Sequence, residues 1–200
     1  VIDSGGVYGG LGNDQAKSIY PTYDGGYILG GYTESFGGAD KDIYMVKIKS
    51  DLTIDWTKVY GGDRNDLITK VIQSNDSSFV ATGITKSYGK DTNNIFLLKT
   101  DQSGNLVFMK TFFMPGNFGE SFGFSLKQTN DLGYLIVGRT SELNGDHDVI
   151  AIKTDGFGNI EWSKSYGGNN FDEGSNIFVH SNGSITILAE TQTFNIAASK

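Results

Sequence analysis

The sequence predicts an all-β chain, a β-propeller of four-stranded antiparallel blades in about four repeats of 52–54 residues. Three observations carry this. The chain matches itself at a fixed period across nearly all its length. Glycine supplies 28 of 200 residues, about twice the usual ~7%, beside 12% aromatics and only two prolines. No segment shows a sustained helical period; short alternating runs broken by turn residues take its place.

The repeat is read from columns. Tyr60-Gly61-Gly62 follows Tyr8-Gly9-Gly10 by 52 residues, Phe112 follows Tyr60 by 52, and Tyr166-Gly167-Gly168 follows Phe112 by 54. Trp56, Phe108 and Trp162 keep these intervals, as do Lys58, Lys110 and Lys164. Gly31, Gly83 and Gly138 form a further column, and Thr33, Thr85, Thr140 and Thr191 another. An acidic column is read as Asp14, Asp66, Glu120 and Asp172.

Within the first unit the expected strands are Lys17 to Thr22, Gly26 to Thr33, Asp42 to Lys49 and Ile54 to Tyr60. Asp24-Gly25-Gly26, Gly37-Gly38, Asn130-Asp131 and Ser181-Asn182-Gly183 punctuate them, since Gly and Asn reach the positive φ that tight reversals need. One domain over 1–200 is expected. Residues 1–8 are a lone closing strand, 9–60 repeat one, 61–112 repeat two, 113–166 repeat three and 167–200 an incomplete repeat four. Val1 to Tyr8 has the pattern of a fourth strand. The last unit has strands one and two and at most an abbreviated third in Asn195 to Ser199. The lone strand is expected to complete the last unit, within the chain or in a second copy. A stretch of a larger ring is the alternative.

Composition excludes several functions. The net charge of −7 argues against nucleic acid, whose phosphates demand a basic surface. No apolar stretch approaches the ~18 residues of a membrane span. Without cysteine there is no disulfide, thiolate zinc site or cysteine nucleophile. The motifs of serine hydrolases, zinc proteases and phosphate-binding loops are absent from the sequence.

The recurring text stands as Asp24-Gly25-Gly26-Tyr27, Lys153-Thr154-Asp155 through Gly158 to Trp162-Ser163-Lys164, and Tyr166-Gly167-Gly168. It resembles the tandem propeller repeats of bacterial and archaeal cell-surface and secreted proteins. The resemblance implies an extracellular setting and supplies no catalytic residue. The Asp155 to Trp162 turn is also similar to Asp-box and quinoprotein blade turns, with a different Asp-to-Gly spacing. The first unit has Lys49 and Leu52 where later units have Asp101/Gly104 and Asp155/Gly158, so no quinone cofactor is expected.

Residues present in every unit make the blade, and residues unique to one unit are candidates for function. Trp56, Phe108 and Trp162 are therefore expected between blades, and the lysines beside them on a solvated strand face or as stems over aromatic rings. Three acidic turns are candidate calcium sites through Asp40 and Asp42, Asp63 and Asp66, and Asp146 and Asp148. The competing expectation is that such side chains hydrogen-bond their own turns. His147, where other units have Lys41 and Asn93, is a candidate base or metal ligand. The most distinctive unique segment is Phe112 to Phe118. Phe112 is expected in the core, and Phe113, Met114 and Phe118 as a partner-binding patch. The expected role is a non-enzymatic extracellular module for adhesion, binding or surface assembly. It would meet a protein or glycan and use no cofactor beyond a possible calcium ion. The alternative is a secreted carbohydrate-binding or carbohydrate-active enzyme domain with paired carboxylates.

Overall fold

The computed structural model describes residues 8–38, 40–113, 119–141 and 146–192. All regular structure in them is β. The first sheet runs β1 (Asp14–Pro21), β2 (Tyr27–Thr33), β3 (Asp42–Ile48), β4 (Ile54–Tyr60). The second runs β5 (Asp66–Gln73), β6 (Phe79–Thr85), β7 (Asn94–Thr100), β8 (Leu106–Phe112), and the third β9 (Ser121–Gln128), β10 (Tyr134–Ser141), β11 (His147–Thr154), β12 (Ile160–Tyr166). A hairpin of β13 (Asp172–Val179) and β14 (Ile185–Thr191) follows. Every neighbouring pair is antiparallel and in sequence order, which is the blade of a β-propeller. The first strand of each blade starts at the acidic column, three residues earlier than expected for β1.

The blades stack face to face in chain order. Ile28, Ile43 and Met45 meet Ile68, Val71 and Phe79. Val80, Ile95 and Leu97 meet Leu126, Tyr134 and Ile136. Leu135, Val137 and Ala151 meet Ile177, Ile185 and Ile187. The central strands of the complete blades are buried on both faces, so β3 and β7 read as apolar runs, while outer β4 and β12 alternate. Each buried Leu, Ile or Phe contributes about 1.5–3 kcal/mol. Trp56, Phe108 and Trp162 sit between blades as expected. Trp56 packs on Phe79 of the next blade with ring centroids 5.7 Å apart, Phe108 joins the second–third cluster, and Trp162 the third–fourth. Phe112 is core, 3% exposed.

The glycine column has a steric cause. β1, β5, β9 and β13 each carry a bulge that drives a carbonyl toward the partner strand. A Cβ at Gly31, Gly83 or Gly138 would run into the carbonyl of Gln15, Leu67 or Phe122. Turn positions recur too, with positive φ at Gly25, Ser77, Leu132 and Gly183 between the first two strands and at Leu52, Gly104 and Gly158 between the last two.

Among the described residues the first sheet and the last hairpin share no extensive packing, so the units form an arc and closure of a four-bladed ring is not found in them. The expected closing strand lies, apart from Tyr8, outside the described residues, as does the expected third strand in Asn195 to Ser199. Tyr8 does occupy the place of a fourth-strand residue. Its hydroxyl donates to the Leu52 carbonyl at 2.8 Å, as the Tyr60 hydroxyl donates to the Gly104 carbonyl at 2.6 Å one repeat later.

Candidate functional site

Two kinds of segment meet at one end of each blade, namely the connection entering the first strand and the loop between the second and third strands. Backbone bonds seam them. Asp66 N–H donates to Lys41 O at 2.7 Å, Lys86 N–H to Asn65 O at 3.0 Å, and Ser121 N–H to Asn93 O at 2.8 Å. Asp40, Asp42, Asp63, Asp66, Asp146, Asp148 and Phe113, the singled-out residues that are described, belong to this loop end.

At its centre is a recurring tie. Asp66 is fully buried; its Oδ1 accepts from Thr85 Oγ1 at 2.5 Å and from the Lys86 and Ser87 amides. Its Oδ2 accepts from Ser87 Oγ at 2.6 Å and Gly62 N–H at 3.1 Å. Asp14 does the same for Thr33, Ser35 and Gly10. Burial pushes the Asp14 carboxyl up, but these donors outweigh it and hold the group below its ordinary value. The Tyr-Gly-Gly motif serves this tie. A Cβ at Gly9 would stand 2.5 Å from Asp14 Oδ2, and one at Gly62 would stand 2.7 Å from Ser87 Cβ.

The acidic residues are brought together differently from the expectation. Asp42 (3% exposed) and Asp66 approach from two turns, their carboxylates flanking Gly61, while Asp148 and Asp172 flank Gly167. Asp40 and Asp63 are exposed, whereas Asp42 and Asp66 are buried. Asp146 accepts the His147 amide at 3.0 Å. No group of three or more metal-ligating side chains occurs among the described residues.

The acidic column also needs one correction. Thr140 faces Ser121, as Thr85 faces Asp66 and Thr191 faces Asp172, so Ser121 and not Glu120 holds the third place. The connection from β8 to β9 is three residues longer than that from β4 to β5, and the step from Thr140 to Asp148 is one residue shorter than the equivalent step from Thr85 to Asn94. The period alone spreads that difference evenly. At this junction Asn94 stands for Asp42, and a Ser121–Thr140 hydroxyl pair at 2.9 Å replaces the carboxylate. Glu120 instead takes the Asn93 amide at 2.8 Å.

Beside the tie, three equivalent positions differ at every junction. The first carries Lys41, Tyr32 and Asn65; Lys41 Nζ lies 4.4 Å over the Tyr32 ring, and its amide donates to Asn65 Oδ1. The second carries Asn93, Ile84 and Glu120. The third carries His147, Arg139 and Phe171; His147 meets the Phe171 ring edge-on at 5.3 Å. Arg139 donates to Glu173 Oε2 at 2.8 Å, with its guanidinium carbon 4.5 Å from the Phe122 ring and 5.4 Å from Phe171. Arg64 and Asp91 pair at 2.8 Å on the outside of the same end. Phe113 is 43% exposed and rests over Gly89; Met114 and Phe118 lie outside the described residues.

The opposite end holds a column that the sequence reading passed over. Lys47, Lys99 and Lys153 point from third strands to Asp24, Asp76 and Asp131 in the first hairpin turns, at 2.8, 2.7 and 2.8 Å. The lysine stems are buried and the carboxylates exposed. The ammonium of Lys47 holds Asp24 down at about 2, with Thr22 and Gly26 assisting against burial, and Lys153 does the same for Asp131. The signal was present in the sequence, as these lysines recur at the repeat interval.

No family model matches the chain, and no curated protein does. Among solved structures 21 chains match. A Bacteroides caccae protein of unknown function aligns at a TM-score of 0.51 and 12% identity, covering 86% of this chain and 52% of that one. A hypothetical protein from Leishmania major aligns at a TM-score of 0.42 and 11% identity, covering 86% and 62%. The chain thus spans about half the length of the first and less than two thirds of the second. The first similarity concerns the fold alone.

Proposed function

We propose that the chain is a non-enzymatic β-propeller binding module working outside the cell, which holds a glycan or protein partner through its loop end. One observation carries this reading. A polar tie recurs at each junction, as a carboxylate or a hydroxyl pair, whereas the three positions beside it change chemistry at every blade, from Lys-Tyr-Asn to Asn-Ile-Glu to His-Arg-Phe. A scaffold that repeats while its adjoining loop end diverges is the arrangement expected of a recognition surface. Phe113 and the Arg64–Asp91 pair extend that surface with an exposed ring and charges. The extracellular setting rests on the resemblance of the repeat text. Self-association through residues 1–8 belongs to the same proposal, and the place of Tyr8 supports it as a fourth-strand residue.

The test is a glycan array and a surface-protein array probed with the whole chain and with Arg64→Ala and Phe113→Ala. Binding that both substitutions weaken, with unchanged melting temperature, supports the module. Binding indifferent to both refutes the loop end as the surface, and steady turnover of an arrayed glycan would favour the carbohydrate-active enzyme.

A further inference from the structure

The third junction differs from the others in what it leaves unfinished. Arg139 faces Val149 across β10 and β11, and Ser141 faces His147, so Arg139 and His147 project from the same face of the blade toward the last hairpin. The Phe171 ring touches both, 5.4 Å from the guanidinium and 5.3 Å from the imidazole. Arg139 uses Nη1 for Glu173, and the two side chains are 24% and 27% exposed, so the cluster reaches the surface. Yet Arg139 Nε and His147 Nδ1 are buried with no hydrogen-bond partner among the described residues. A buried guanidinium N–H without an acceptor is disfavoured, because its hydration is lost and nothing replaces it.

Arginine offers five donors in a planar fork, and the edge carrying Nε and the second terminal nitrogen suits a two-oxygen acceptor. Nη1 already donates to Glu173 Oε2, so this guanidinium pairs with a carboxylate in this setting. The rings of Phe122 and Phe171 lie against the guanidinium, and apolar surroundings strengthen a charge-assisted bond there. None of these residues belongs to the recurring blade: the equivalents of Arg139 are Tyr32, Ile84 and Glu190, and those of Phe171 are Asn13, Asn65 and Glu120.

We infer that the wedge between the third blade and the last hairpin binds the carboxylate of a small acid, with the Nε edge of Arg139 as the fork and His147 Nδ1 as the second donor. This rests on the reading of the loop end as a binding face and names the chemistry of one subsite in it.

The experiment titrates the whole chain with sodium acetate, sodium glucuronate and neutral methyl glucoside, following the arginine Nε–H and histidine NMR signals. A single charge-assisted subsite is expected to saturate near ~1 mM. Arg139→Lys keeps a cation over the rings but loses the fork, and should weaken binding about tenfold, the loss of one good charged hydrogen bond. His147→Phe keeps a ring on Phe171, removes Nδ1, and should weaken binding several-fold. Glucuronate tighter than acetate assigns the ligand to sugar acids, and equal affinities mean the carboxylate alone is read; both support the site. No saturable shift of the Arg139 signal in the unsubstituted chain by about 10 mM, equal binding of methyl glucoside, or variants that bind unchanged overturns it. These outcomes do not depend on the arrays, so failure here is distinct from failure of the loop-end reading.

Discussion

The first–second and second–third junctions solve one mechanical problem with different chemistry. In the first, the buried Asp66 carboxylate collects five donors from two loops, with Asp42 beside it. In the second, Ser121 and Thr140 share one hydroxyl bond, and Asn94 donates to the Lys90 and Thr92 carbonyls at 3.1 and 2.6 Å. The geometry of blade against blade survives the exchange. The fold therefore needs a polar crosslink at this point rather than a negative charge, and the carboxylates at the other junctions are the stronger form of it.

The comparison is broken most directly at the crosslinks themselves. Asp66→Ala strands five donors in a dry setting and should cost about 3 kcal/mol, whereas Ser121→Ala removes one neutral bond and should cost about 1 kcal/mol. Urea unfolding of both variants checks this, and equal losses would mean that the carboxylate adds nothing to the hydroxyl.

Much of the architecture was legible because a blade must bury the same positions each time, and sequence periodicity reports burial. Strands β2 to β4 fall within a residue of their expected limits for that reason. The tie was less legible. Its partners come from turns about twenty residues apart, so neighbours such as Asp63 and Asp66 looked like a pair when only Asp66 points inward. Glu120 was misplaced by one residue because the period cannot say which loop lengthens. The lysines of the opposite end were hidden by their strand, since a charge inside an apolar run such as Ile43 to Ile48 reads as solvent-facing until its carboxylate partner is located.

That opposite end sharpens the contrast between structural and divergent charges. Asp24 and Asp131 have carboxyls held near 2 in the folded chain against 3.8 ordinarily, so the stabilisation is fully present above pH 3.8 and is lost as pH falls toward 2. Both carboxylates are more than half exposed, and screening limits each to at most about 1 kcal/mol. Unfolding midpoints at about pH 5 and about pH 2.5 should differ less in Lys47→Met than in the unsubstituted chain.

Turn conformation provides a smaller effect. Leu132 holds φ at 66°, where the first and last units place Gly25 and Gly183. Relief of left-handed strain, offset by glycine's greater unfolded freedom, should make Leu132→Gly more stable by about 0.5 kcal/mol, read as a rise in melting temperature. The smallest effect expected is that of a chelator. The oxygens of Asp66 are already engaged by protein donors, so excess EDTA should leave the melting temperature unchanged; a drop of several degrees would restore calcium to the acidic turns.

The central claim is that recurring residues hold the blades while the three positions beside each tie are free to serve recognition. Its most direct measurement transplants the first junction's set into the third, as His147→Lys, Arg139→Tyr and Phe171→Asn together. The chain should keep one cooperative transition, with a melting temperature within about 4 °C of the parent, corresponding to ~1 kcal/mol, while its array profile and acetate binding disappear. Loss of cooperative folding, or an array profile that survives the transplant, would contradict the division between scaffold and surface.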